Sequence, residues 1–333
     1  MPQPNARYHC IGKGFCGSVW TLEASQPNTA IKREDGGPNR SVTNDYNMHL
    51  QLLQSAAQHP PSLPLSIPHC HALIQPTDPW WQTHLPRFPS GYSACRALIS
   101  ERIPPVPRST RNKLVDLHCS NNALLSTFVK TNPDDAACLL RPYLGRRKRL
   151  PKPEEQPTSR FHRFTLRNAP LHIDQMESLG LDTTAYAESM ADALALLHWG
   201  AGLDANDVEF VLAPPRDALS STFHSDFLGT HTMWILDFDC CRSLAVDEVG
   251  MQQACAAFFR NDPYFPRPGS GGAADEALWG VFKRRFLVAS WGVLGEGRGG
   301  KWGFVERLVE LIECEGRVRR ERRGGGDGNA FVE

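Results

Sequence analysis

The 333-residue sequence has no apolar run long enough to span a bilayer, so neither a transmembrane helix nor a membrane partner is expected. The residues Met1-Pro-Gln-Pro-Asn-Ala-Arg7 lack an apolar stretch, so no secretory signal is expected there. None of the ten cysteines belongs to a Cys-x-x-Cys pair. That spacing argues against a disulfide framework and for reduced thiols in a cytoplasmic or nuclear setting. Basic and acidic residues balance at 36 each, so no global field favours nucleic acid. Proline, by contrast, is plentiful at 26 residues, which predicts long irregular connections. A chain of this length can hold one large domain or two lobes with an ample core.

One stretch organises the rest. Gly12, Gly14 and Gly17 stand in Gly-x-Gly-x-x-Gly spacing, with Val19 two residues on. Glycine lets backbone approach a ligand closely, and such loops expose N–H groups that can cradle phosphates. The match alone is weak, because ordinary tight turns use glycine too. A dinucleotide loop must run straight into a helix. Here Ser18 to Leu22 is β-branched and aromatic and reads as a strand. A second strand follows the turn at Pro27, carrying Ala30 and Lys32. A glycine hairpin followed by Ala-Ile-Lys is the protein-kinase arrangement, in which the loop covers the phosphates and the lysine pairs with them. The bland alternative is a hairpin with an exposed Lys32.

After a polar turn from Arg33 to Arg40, Ser41 is placed to cap a helix reaching about Ala57. Val42, Tyr46, His49/Leu50 and Leu53 would form its buried stripe, and Asp45 would supply the carboxylate for Lys32. His69-Cys70-His71 resembles a metal cluster, but adjacent residues do not easily face one ion and no second cluster has the usual spacing, so zinc is disfavoured. Trp80 and Trp81 read as packing. Ala97 to Ile103 reads as a buried strand entering a hinge, with the backbone around Glu101 expected at an adenine edge. The basic run Arg141 to Arg149 reads as a solvated face, with nuclear import or an acidic substrate as alternatives.

Two strand-ends carry the chemistry. A helix from Thr184 to Trp199, capped by Asp182 or Thr183, precedes a loop with Asp204, Asp207 and Glu209. The strand from Thr232 then ends in Asp237-Phe-Asp239. Phosphoryl transfer needs positioned metal ions and a base for the attacking hydroxyl. Asp204 is the expected base, and Glu209 and Asp237 are the expected magnesium ligands, since magnesium accepts any hard oxygen. Singly, these acids read as turn caps or exposed strand residues; their joint placement favours a metal site. There are departures. No His-Arg precedes Asp204, glycine is replaced by Asp239, and no Ala-Pro-Glu element follows. The segment after Asp237 is closer to small-molecule phosphotransferases of the aminoglycoside and choline kinase type.

Asn44 to His49, Arg141 to Arg146, Leu197 to Trp199 with Leu203 to Phe210, and Asp237 to Asp239 with Phe259 to Pro266 together resemble one family. It is the fungal domain-of-unknown-function family labelled "zinc finger protein". The resemblance runs from the glycine loop to Pro266 and implies a filamentous-fungal origin, with no established activity. The cysteine and histidine spacing gives its zinc label no support.

The expected fold is α+β and bilobal. Residues 1–103 form an antiparallel-sheet lobe, residues 104–316 a mostly helical lobe, and residues 317–333 a basic, flexible tail. The expected function is an ATP- and magnesium-dependent, kinase-like phosphotransferase. Gly12, Gly14, Gly17, Val19, Ala30, Lys32, Asp45 and Glu101 would bind the nucleotide, and a protein or small molecule would be the acceptor. The alternatives are a pseudokinase used as an interaction or regulatory module, and a metal- or nucleic-acid-binding protein.

Overall fold

The computed structural model describes residues 6–22, 29–38, 40–119, 122–148 and 164–324, with the side chains of 296–298 and 323–324 excepted. The N-terminal sheet starts with the hairpin β1 (Tyr8–Lys13) and β2 (Ser18–Leu22), followed by β3 (Thr29–Arg33). Helix α1 (Val42–Gln58) comes next. The short strand β4 (Leu65–Ser66) and β5 (Cys70–Ile74) lead to helix α2 (Trp80–His84) and β6 (Ala97–Glu101). The order β1-β2-β3-β6-β5 is antiparallel throughout. Trp20, Ile31, Trp81 and Phe88 are buried on one face of this sheet, and α1 packs on the other.

The C-terminal part begins with α3 (Arg108–His118) and α4 (Ala123–Thr131). Strands β7 (Leu140–Tyr143) and β8 (Ala169–His172) follow, then α5 (Ile173–Ser178) and α6 (Thr183–Ala195), which widens into one π-helical turn at Leu196–Gly200. Strands β9 (Glu209–Ala213), β10 (Phe223–Ser225) and β11 (Gly229–Leu236) complete a second sheet, which β4 joins by pairing with β11. The chain ends in α7 (Glu248–Arg260), α8 (Ala273–Leu294) and α9 (Trp302–Gly324). Helix α6 is buried on nearly every side from Ser189 to Ala195, the pattern of a central core helix. An antiparallel N-terminal sheet with one helix behind its lysine strand, followed by a mostly helical C-terminal part, is the α+β arrangement predicted from the sequence.

Local chemistry explains the boundaries. The side chains of Ser41, Asn122, Asp182 and Asp247 each accept a hydrogen bond from a first-turn backbone N–H of the helix that follows. The buried stripe of α1 differs from the expected one: it contains Val42, Asp45, Met48, His49 and Leu52, whereas Tyr46 and Leu53 are only half-buried and Leu50 is exposed. The helix is turned so that Asp45 faces the sheet and reaches Lys32. The basic run at Arg141 is no solvated face in its first residues, because β7 carries them into the second sheet. Residues 149–163 lie outside the described residues. Helix α9 continues through the basic residues from Arg317 to Gly324, with Arg319 paired to Glu315 and lying over the Phe259 ring. The glycines beyond Gly324 are outside the described residues.

Candidate functional site

A cleft of about 640 Å³ opens where the glycine hairpin overhangs the ends of β9 and β11. The hairpin is held in shape from behind by the turn after β3. The Gly14 N–H donates to the Gly17 carbonyl at 2.8 Å, Gly36 N–H to the Cys16 carbonyl at 3.1 Å, and Gly37 N–H to the Phe15 carbonyl at 2.8 Å. Asp35 accepts from both the Ser18 N–H, at 2.8 Å, and the Ser18 hydroxyl. Gly17 has φ of 150°, and a Cβ there would overlap the Arg33 carbonyl oxygen, so no other residue fits. Gly14 has open space around it. Val19, Ala30, Leu98, Ile103, Leu139 and Leu236 give the cleft an apolar lining, the kind of surface against which a flat ring packs.

Lys32 is the centre of the polar wall. Its Nζ lies 2.5 Å from Asp45 and 2.6 Å from Asp237, residues separated from it by 13 and 205 positions. A third carboxylate, Asp239, is 3.9 Å away. Burial pulls the lysine pKa down, but Asp45, Asp237 and Asp239 outweigh it and hold it well above its ordinary value. Asp237 is also desolvated, yet Lys32 draws its pKa below the usual carboxylate range. Asp239 moves the other way, raised by burial and by its neighbour Asp237. Helix α1 is stapled to this turn: Phe238 N–H donates to Asp45 at 3.2 Å, and the Asn44 amide donates to the carbonyls of Asp239 and Cys241 at 2.9 Å each.

The backbone itself is constrained here. Outside glycine, positive φ occurs at Asn168, Ala205, Asp207 and Asp237 among the described residues, and three of these four line the cleft. Such conformations cost roughly 1–3 kcal/mol each and cluster where side chains must be aimed.

The structure thus brings Gly12, Gly14, Gly17, Val19, Ala30, Lys32, Asp45, Glu209 and Asp237 to one cleft. It does not bring Asp204 there. That residue is 3% exposed, and its carboxylate accepts from Asn206 N–H, Arg242 N–H and the Gln253 amide. The expected base is therefore a clamp that fixes the loop to the chain beyond β11. The cleft-facing acid of the same loop is Asp207, whose side chain is half exposed. Glu209 is in the cleft, but Arg141 donates from one Nη to both of its oxygens, at 2.7 and 2.6 Å. Burial pushes Glu209 up to about 7 against the opposing pull of Arg141, with Asp237 and Asp262 adding to the rise. Glu101 stands at the cleft edge with its carboxylate held by Arg216 at 2.7 Å and its N–H donating to the His69 carbonyl at 2.8 Å.

Two residues escaped sequence reasoning. Arg40 reaches from the turn before α1 to Asp207 at 2.9 Å, Asp239 at 3.0 Å and the Cys240 sulfur. Arg141 was hidden inside a basic run. No local spacing marks either one, since their partners lie 68 to 200 positions away. Among the described residues, the metal-type cluster that does occur is Asp207, Asp239 and Cys240, not the histidines around Cys70.

A family model described as "zinc finger protein", a domain of unknown function, matches residues 233–298. No curated protein sequence matches the chain. Among solved structures, the chain is similar to the kinase domain of maize sucrose-induced receptor kinase 1 bound to AMP-PNP, at 14% identity and a TM-score of 0.30, covering 93% of this chain and 79% of that one. It is also similar to an aminoglycoside 2'-phosphotransferase IIIa in complex with GDP, at 10% identity and a TM-score of 0.24, covering 96% and 93%. No helix among the described residues is long and apolar enough to cross a membrane.

Proposed function

We propose that this protein binds a nucleoside triphosphate with magnesium in the cleft and transfers a phosphoryl group to an acceptor hydroxyl. The observation that carries the reading is the Lys32 bridge, which joins the hairpin sheet, α1 and the end of β11 at one nitrogen beneath the glycine loop.

The base would lie between Val19 and Ala30 above and Leu236 below. Its polar edge would meet the backbone of Arg102 and Ile103, because the Glu101 N–H is already engaged. The N–H groups near Gly14 would lie over the phosphates, where space is open, and Lys32 would neutralise them. Magnesium, when bound, would offset phosphate charge and polarise the bond to be broken. Asp237 and Asp239 fit it as hard-oxygen donors on the cleft wall; Glu209 does so only if it gives up Arg141. Asp207, aimed outward at the cleft mouth, would accept the proton of the acceptor hydroxyl in the place expected for Asp204.

A second reading, a nucleotide-binding regulatory module without catalysis, is favoured by the sequestered Asp204 and the Arg141-bound Glu209. Calorimetric titration with Mg-ATP tests both. The expected result is binding by the wild type that weakens at least ~10-fold in Lys32→Met, since a charge-assisted hydrogen bond contributes about 1.5–3 kcal/mol. Absence of binding by the wild type defeats both readings. Binding without turnover, unchanged in Asp207→Asn, selects the regulatory one.

A further inference from the structure

We propose that Arg40 is a resident cation in the place of a second metal ion, so that this cleft takes its nucleotide with one divalent ion only. The proposal rests on the nucleotide reading above and concerns Arg40, which that reading leaves without a role. Asp207, Asp239 and Cys240 offer two carboxylate oxygens and a sulfur, all within 4.8 Å of one another. Such a set gathers around a cation, because like charges this close do not both stay ionised without one. Here the cation is part of the chain. Arg40 Nη1 lies 2.9 Å from Asp207 and 3.0 Å from Asp239, and also meets the Cys240 sulfur.

An ion bound by the same oxygens, at about 2.1 Å for magnesium, would overlap the space that Nη1 fills. Guanidinium and metal therefore exclude each other. The guanidinium is held from its other side by the Phe15 ring at the tip of the glycine hairpin, 5.8 Å from its central carbon. Arg40 thus ties the loop that would cover the phosphates to the acids beneath them. The remaining acid of the cleft wall, Asp237, is 2.6 Å from Lys32, and among the described residues Arg40 pairs with Asp207 and Asp239 rather than with Asp237. One divalent position remains there, beside Asp239. A planar, permanently charged group suits a fixed electrostatic role better than an exchangeable ion does.

Manganese binding, counted from the loss of its free-ion electron paramagnetic resonance signal beyond the loss that ADP alone causes, tests this on the full chain in the presence of saturating ADP. The expected count is one manganese ion per wild-type chain and two per Arg40→Ala chain. Two ions in the wild type, or one in both proteins, overturns the proposal. Should Arg40→Ala not fold, Arg40→Gln keeps an amide donor while removing the charge, and the same gain of one ion is expected. If calorimetry shows that neither protein takes up ADP, the nucleotide reading falls and manganese alone decides the role of Arg40. One additional manganese site in the variant then supports it, and equal binding in both proteins overturns it.

Discussion

Lys32 and Arg33 are neighbours on one strand, and they have opposite lives. Alternation along β3 sends one side chain to each face of the sheet. Lys32 enters the cleft and meets three carboxylates. Arg33 is 1% exposed in the opposite core. Its guanidinium lies 4.8 to 5.2 Å from the rings of Trp81, Phe88 and Tyr92, and it donates to Asp35 at 2.9 Å and to the Ser93 carbonyl at 2.6 Å. Asp35 in turn holds Ser18, next to Gly17. The buried arginine therefore shapes the glycine loop from behind, while the lysine works on what lies under it. A cation among acids in an open cleft is placed for the proposed binding; a cation among aromatic rings serves the fold.

The largest effect should come from the buried side. Arg33→Ala leaves Asp35 without its cation and opens the aromatic box, and breaking a buried pair costs about 3–5 kcal/mol. Urea unfolding measures it. A loss smaller than that of Lys32→Met would reverse the comparison. Gly17→Ala comes next, at about 1–3 kcal/mol or more, because φ of 150° strains any side chain and the added carbon overlaps the Arg33 carbonyl. The same substitution at Gly14 meets open space and should change stability by no more than about 0.5 kcal/mol. The pair of glycine variants thus separates the braced end of the loop from its free end.

The cleft face should also be the pH-sensitive one. Glu209 is raised from its ordinary 4.5 to about 7, so the folded state holds its proton more tightly than the unfolded chain does. Its contribution is full below the unfolded value and is lost as pH rises through about 7. Glu209→Gln should flatten that part of the stability–pH curve. Arg33→Met, on the opposite face of the sheet, should leave it unchanged. Unfolding curves collected between these pH values decide the matter, and an unaltered slope in Glu209→Gln would remove the titrating role assigned to Glu209.

Much of this was legible in the chain. The glycine spacing, the strand after it and the placement of Lys32 depend on local backbone chemistry, and so do the caps at Ser41 and Asp182. The pairing of Lys32 with Asp45 followed from a strand and a helix joined by one short turn. The placement of Asp204 away from the cleft is not legible in the sequence, for a definite reason. Its spacing to Glu209 and Asp237 is a one-dimensional quantity, and a loop with positive φ at Ala205 and Asp207 turns successive side chains to different sides. That twist buries Asp204 against Gln253 and the chain beyond β11 and brings Asp207 to the cleft.

The sequence by itself determined the glycine hairpin, the strand and capped helix after it, and which lysine lies beneath it, because those depend on neighbours within a few residues. Only the tertiary structure decided which acids meet which cations. Arg40 and Arg141 find their partners across 68 to 200 positions of chain, and a charge carries no mark of the distant carboxylate it will neutralise until folding brings the two within reach.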